Sequence, residues 1–222
     1  MPVFSSRGFG LYYEAHGEGD GLPLVLIMGM GGTCQGWMVL QVPEFSRDRQ
    51  CVIFDNRGAG RSEDPGTSFS TQDMAEDTLA LLDELRIERA HVLGGFLGGC
   101  VAQELAIAHP DRVQSLILAG TFAKADGRRR MLLELWRSMV EVGLPREDLI
   151  KSRLVWTLHD LTFEQPDLKS VFRFTVTAPE DWKVVSNAPT PEPTPLEGGK
   201  AVWAFEPTER MSTYITALVA GE

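Results

Sequence analysis

The stretch His91–Gly99, His-Val-Leu-Gly-Gly-Phe-Leu-Gly-Gly, admits few folds. A short apolar run bounded by glycines reads as a strand buried on both faces. The helix-like run Cys100–Ala108 follows almost at once. One large residue, Phe96, stands at the tight turn between Gly94, Gly95, Gly98 and Gly99. Glycines in such a turn permit unusual backbone angles or close approach of two segments. Strand, glycine-rich turn and helix together form the joint of a parallel sheet, because parallel strands need a crossover connection.

The flanking sequence repeats this alternation. Leu24–Met28 is a continuous apolar run that opens into Gly29-Met30-Gly31-Gly32. Gln50–Phe54 is another short apolar run, ending in Asp55-Asn56-Arg57-Gly58-Ala59-Gly60-Arg61-Ser62, and Val113–Leu118 reads as a fourth buried strand. Ser70 or Thr71 is placed to cap a helix running through Leu85, with Met74, Thr78, Leu81, Leu82 and Leu85 on one face. His109-Pro110-Asp111 stops the helix after the central turn. Phe9–Ala15 partly alternates and reads as an edge strand, Gly17–Gly21 as a turn, and Trp37-Met38 as a helix start. Residues 128–159 have a helical pattern, broken at Gly143-Leu144-Pro145. The fold class is therefore α/β: a parallel sheet with flanking helices.

The texture changes near residue 162. Of 22 glycines only Gly198, Gly199 and Gly221 lie beyond it, whereas seven of the 13 prolines do. Val171–Thr177, Val184–Ser186, Lys200–Phe205 and Tyr214–Val219 are strand-like, with a Pro-rich loop Ala188–Pro195 among them. This predicts a C-terminal antiparallel β segment. The expected division is residues 1–162 and 163–222, with the boundary at Phe163–Leu168.

A net charge of −10 argues against nucleic acid or an anionic membrane as partner. The three cysteines, Cys34, Cys51 and Cys100, are widely spaced and show no C-x-x-C pattern, which fits neither a disulfide framework nor a zinc knuckle. A reduced, cytoplasmic setting is expected. The first residues lack the basic and apolar regions of a signal peptide, and no apolar run is long enough to span a bilayer.

Residues 1 to about 162 resemble the N-terminal half of the α/β-hydrolase fold family. Leu24–Gly32 is similar to its strand and H-G-x-G oxyanion loop, with Met28 where the family often has histidine. Asp55–Ser62 is similar to its D-x-R-G-x-G-x-S segment. His91–Leu118 is similar to its nucleophile elbow, G-x-S-x-G, the helix after it, and H-P-x-R-V-x-x-L-x-L. On this resemblance Gly94-Gly95-Phe96-Leu97-Gly98 is the elbow, with Phe96 in the serine position. The backbone N–H groups of Met30 and Leu97 would be the oxyanion donors, with Gly29, Gly94, Gly95, Phe96 and Gly98 shaping the pocket. The sheet would be incomplete, because the fold's later strands are missing.

A phenyl ring has no proton to lose and cannot attack a carbonyl. The family's chain order is Ser, then Asp or Glu, then His, yet His16, His91, His109 and His159 are the only histidines. No catalytic residue is assigned. Cys34, Ser62 and Cys100 have no histidine placed by sequence to activate them, and Asp55, Arg57 and Ser62 read as braces of their loop.

Residues from about Phe163 onward resemble part of the N-terminal β domain of zinc aminopeptidases of the aminopeptidase N type. The segments concerned are Phe163–Lys169, Val176-Thr177-Ala178-Pro179, Val185-Ser186-Asn187 and Met211-Ser212-Thr213-Tyr214. H-E-x-x-H and G-x-M-E-N are absent, so neither a metal nor another cofactor is expected. The expected protein is a catalytically inactive hydrolase-like chimera, a pseudoenzyme whose Phe96 fills the former pocket. Its expected partners are a small apolar ligand or a second copy joined through an unpaired sheet edge. Two alternatives stand beside this: an active ester-type hydrolase with a non-standard or partner-supplied triad, and an aminopeptidase-derived fragment without its zinc site.

Overall fold

The computed structural model describes residues 3–125, 127–152, 171–209 and 217–221. His159, the Phe163–Leu168 boundary and Met211–Tyr214 lie outside the described residues. The chain opens with β1 (Val3–Ser6) and β2 (Phe9–Ile27), passes a 3-10 turn at Cys34–Met38, and continues through α1 (Gln41–Phe45), β3 (Arg49–Phe54) and α2 (Thr71–Glu84). Next come β4 (Ala90–Gly95), α3 (Leu97–Ala108), β5 (Val113–Ala119) and α4 (Gly127–Glu141). The C-terminal part supplies β6 (Thr175–Pro179), β7 (Lys183–Ser186), β8 (Thr194–Leu196), β9 (Lys200–Ala204) and β10 (Ala217–Gly221).

The centre of the main sheet is parallel, as the continuous apolar runs predict. Leu24–Ile27 pairs with Cys51–Phe54 of β3 on one side and with His91–Gly94 of β4 on the other. β4 in turn pairs in parallel with β5. Alternate residues of these strands feed two cores. Val25, Ile27, Val52, Phe54 and Val92 face α2 and α3, while Leu24, Leu26, Cys51, Ile53 and Leu93 face Trp37 and Val42.

Two details of the first strands differ from the expectation. β2 is one continuous strand through Gly17–Gly21, not a strand, a turn and a second strand. Its first half lies along β3 in descending register, from Tyr13↔Phe54 to His16↔Cys51, before the second half returns in ascending register. Nor is Phe9–Ala15 an edge, because β1 pairs outside it.

α2 is capped as its sequence predicts. Ser70 and Asp73 form a reciprocal capping box, and Met74, Ala75, Thr78, Leu81 and Leu82 are buried. Asp77 is buried with them and accepts two hydrogen bonds from Arg57.

The C-terminal strands do two things. β6, β9 and β8 form a separate three-stranded antiparallel sheet. β10 instead joins the main sheet, antiparallel to β5 from Ala217↔Ala119 to Gly221↔Ser115, and carries β7 on its far side. Trp182, Val184, Trp203, Phe205 and Ala220 share a core with α2, α3 and β5. Among the described residues, the free edges of this mixed sheet are β1 and β7. No helix among the described residues is long and apolar enough to cross a membrane.

Candidate active site

β4 ends at Gly95 and α3 begins at Leu97, so one residue turns the chain. That residue is Phe96, with φ 53° and ψ −116°. A bulky L residue avoids this region, and holding one there costs on the order of 1–3 kcal/mol. The surroundings enforce the turn. Phe96 N–H donates to the Ala119 carbonyl at 3.0 Å, and its own carbonyl accepts from Gly99 N–H at 3.1 Å and Thr121 Oγ1 at 2.7 Å. Gly98 lies so close to β2 that a Cβ there would overlap the Ile27 carbonyl oxygen.

Phe96 does not fill a pocket. The side chain is 66% exposed, which overturns the expectation drawn from its apolar character. The turn throws the ring off the carboxyl end of the sheet. There it stands between Gly29 and Gly120, and neither has a side chain to cover it.

The two expected oxyanion donors come to this place. A Cβ on Gly29 would sit 3.0 Å from Phe96 Cβ, so the residues preceding Met30 and Leu97 touch. Among the described residues, neither the Met30 nor the Leu97 backbone N–H is donated to an acceptor. Leu97 is the first residue of α3, where N–H groups have no partner within the helix. Asn56 Nδ2 holds the end of β2 by donating to the Met28 carbonyl at 2.8 Å. Gly29 and Gly32 close a turn around Met30 through a 3.2 Å hydrogen bond.

No described histidine reaches the elbow. His91 begins β4, at the opposite end of the strand, and shares a 2.6 Å hydrogen bond with Ser115 Oγ. Burial pushes its pKa down. His16 pairs with Glu14 and His109 with Glu76, each at 2.9 Å.

The two buried cysteines offer no activated thiol. Cys34 is buried, and burial, together with the hydrogen bond and charge of Asp55, pushes its pKa up to about 12. Burial raises the Cys51 pKa as well. Cys100 is partly exposed, with its Sγ 3.5 Å from Thr121 Oγ1 and from the Phe122 carbonyl. No cluster of three His, Cys, Asp or Glu side chains among the described residues is arranged to hold a metal.

The Asp55–Ser62 segment is tied to its surroundings throughout. Asp55 Oδ1 accepts from Cys34 N–H at 2.7 Å and Oδ2 from Arg61 N–H at 2.9 Å. Ser62 Oγ donates to the Asp55 carbonyl and accepts from Tyr12 N–H at 2.9 Å. Arg57 forks onto Asp77 with two 2.6 Å hydrogen bonds. These groups brace the loop beneath the site.

Sequence reasoning missed three contributors: Trp37, Thr121 and Gln103. Trp37, read only as a helix start, is buried with its ring against Gly95. Thr121 and Gln103 fasten the elbow from the loop after β5 and from α3; Gln103 Nε2 donates to the Gly99 carbonyl at 3.0 Å. Only the apolar environment of Trp37 gave a signal in the sequence.

Comparison with known proteins places this geometry. A provisionally named carbamate hydrolase RutD of Azorhizobium caulinodans is 36% identical over 145 residues, covering 65% of this chain and 54% of that protein. The crystal structure of a hydrolase from Pseudomonas aeruginosa PA01 matches at 30% identity with a TM-score of 0.62, covering 75% of this chain and 63% of that one. Aminopeptidase N of Streptomyces lividans is 60% identical over 60 residues, which is 27% of this chain and 6% of that protein. The chain spans about half the length of the hydrolase-named relatives it matches. The family model for the alpha/beta hydrolase fold matches residues 23–190, and with the sheet and elbow described above the chain belongs to the alpha/beta hydrolase fold family.

Proposed function

We propose that the chain keeps the hydrolase scaffold and has lost acyl-transfer chemistry, so that its elbow binds rather than cleaves. The observation that carries this reading is Phe96 at the strained tip of the strand–helix turn. In the family the nucleophile occupies such a turn, and phenylalanine has neither a lone pair nor a proton to use there. The pairing of His16, His91 and His109 with groups away from the elbow supports it further. The N–H groups of Met30 and Leu97, which meet no acceptor among the described residues, remain as donors for a ligand oxygen, beside the apolar faces of Phe96 and Met28. A backbone donor pair does not depend on the lost side chains.

The same reading takes the chain as a chimera. The aminopeptidase N match covers 60 residues at high identity, whereas the family model covers 23–190. A join at Phe163–Leu168, a cytoplasmic setting, a small apolar ligand and pairing of two copies through a sheet edge belong to this proposal. The aminopeptidase-derived part contributes strands and no zinc chemistry.

Hydrolysis of p-nitrophenyl acetate by the purified chain tests this reading. It predicts no turnover above buffer for the chain or for Phe96→Ser, since no described histidine reaches the elbow to serve as a base. Turnover by either overturns it.

A further inference from the structure

Glu14 of β2 gathers side chains from two loops onto one carboxylate. Its Oε1 accepts from Tyr12 Oη at 2.6 Å, Gln35 Nε2 at 2.6 Å and Arg61 Nη2 at 3.0 Å. Its Oε2 shares a 2.9 Å hydrogen bond with His16 Nε2. Gln35 belongs to the 3-10 turn Cys34–Met38 and Arg61 to the Asp55–Ser62 segment. Both reach the Cys34 thiol: Gln35 Nε2 is 3.9 Å from Sγ and Arg61 Nη2 is 3.7 Å from it. Cys34 is 0% exposed, whereas Gln35 and Arg61 are exposed. Exposed side chains in contact with a buried atom stand on its solvent side.

We infer that Gln35 and Arg61 form a cover over the Cys34 thiol, latched by the Glu14 carboxylate and released when that carboxylate takes up a proton. The latch does not depend on binding at the elbow. Its strength comes from charge. An ionised oxygen accepts several hydrogen bonds, and the one from Arg61 is charge-assisted. The neutral acid keeps less acceptor capacity and no net attraction for the guanidinium. Two long side chains then regain the rotamer freedom that the closed cover denies them. The backbone beneath stays in place, because Asp55 Oδ1 holds Cys34 N–H at 2.7 Å and Oδ2 holds Arg61 N–H at 2.9 Å. The titratable and charged groups around Glu14 are Tyr12 and His16 on its own strand, Cys34 in the turn, and Arg61 with Asp55 behind it at 3.6 Å. Burial opposes the Glu14 charge, but hydrogen bonds from Tyr12, His16 and Arg61 outweigh it and keep the folded pKa below 4.5. The cover is therefore closed at neutral pH and opens in acid.

Cys34 itself reports on the cover. The native chain is labelled with methyl or benzyl methanethiosulfonate and read by peptide mass mapping, with buried Cys51 as the reference. Two sizes of reagent separate opening from charge. The Cys34 pKa is raised by burial, by Asp55 and by the Glu14 charge, so losing that charge eases ionisation and speeds both reagents alike. Opening favours the larger reagent. Glu14→Gln, a neutral isostere, is expected to raise the benzyl-to-methyl ratio at Cys34 about tenfold at neutral pH, the equivalent of one charge-assisted hydrogen bond. Gln35→Ala opens the cover without touching the latch and is expected to raise the ratio as well. The unmodified chain should show the same rise as pH falls from about 7 to about 4, with Cys51 still protected. Two results overturn the inference: a ratio that either variant leaves at the level of the unmodified chain, or Cys51 labelled in step with Cys34 in the acid series, so that the fold opens as a whole. Where Glu14→Gln also exposes Cys51, the acid series of the unmodified chain decides by the same criterion.

Discussion

Thr121 and Phe96, 25 residues apart, share one hydrogen bond: the Thr121 hydroxyl donates to the Phe96 carbonyl at 2.7 Å. With the Ala119 carbonyl accepting from Phe96 N–H, the end of β5 and the loop after it hold the turning residue from both sides. Thr121→Val keeps the shape and removes the donor. It should lower stability by about 1 kcal/mol, read as a shift of the urea midpoint at unchanged slope, while Thr121→Ser should lie close to the unmodified chain.

Phe96 itself is predicted to be a poor residue for its own position. Its φ of 53° with ψ −116° suits glycine, and its ring is mostly in solvent. Phe96→Gly should therefore be more stable than Phe96→Ala by about 1 kcal/mol, the reverse of the order in an ordinary helix or strand. Thermal melting of the two variants side by side checks the order.

The Arg57–Asp77 pair should be the most sensitive polar contact in the fold. Both side chains are buried, 7% and 2% exposed, and the Asp77 hydrogen bonds keep the Arg57 pKa raised. Removing one partner strands a buried charge. Asp77→Ala should cost about 3–5 kcal/mol, measured by urea unfolding. Replacing both residues together should cost less than the sum of the single changes.

Glu14 gives the fold a predictable acid limb. Burial opposes its charge, but hydrogen bonds from Tyr12, His16 and Arg61 outweigh it, and the folded pKa is lowered from 4.5. A lowered carboxylate pKa stabilises the folded state fully above the ordinary value, and that contribution is lost as pH falls through the folded value. Melting temperature should decline below about pH 4.5, a value set by the ordinary pKa, and decline less steeply in Glu14→Gln. Tyr12 has the opposite sign. Its hydrogen bond to Glu14 and its burial raise the phenol to about 12. Its contribution is therefore present below the ordinary value of 10 and fades as pH rises through about 12.

Local pattern made the central sheet legible. Leu24–Ile27 is apolar without a break because both faces are covered, His91–Leu93 and Val113–Leu118 are apolar apart from His91, Gln114 and Ser115, and each lies in the parallel sheet. Ser70 and Thr71 announced the start of α2 for an equally local reason, and the cap is Ser70. What depends on distant partners was hidden. Nothing in Ala217–Gly221 alone says that it will pair with Ala119–Ser115. β8 lies within a proline-rich stretch that reads as loop, and it strands there because β9 supplies the partner. At the site, the glycines located the turn, but the exposure of Phe96 follows from Gly29 and Gly120 flanking it, a relation between three separate loops.

The central claim is that the elbow carries no nucleophile, and intact-mass spectrometry after incubation with a fluorophosphonate tests it most directly. The account predicts that the 24.5 kDa chain keeps its mass. A stoichiometric phosphonyl adduct, lost again when the protein is unfolded before labelling, would contradict it.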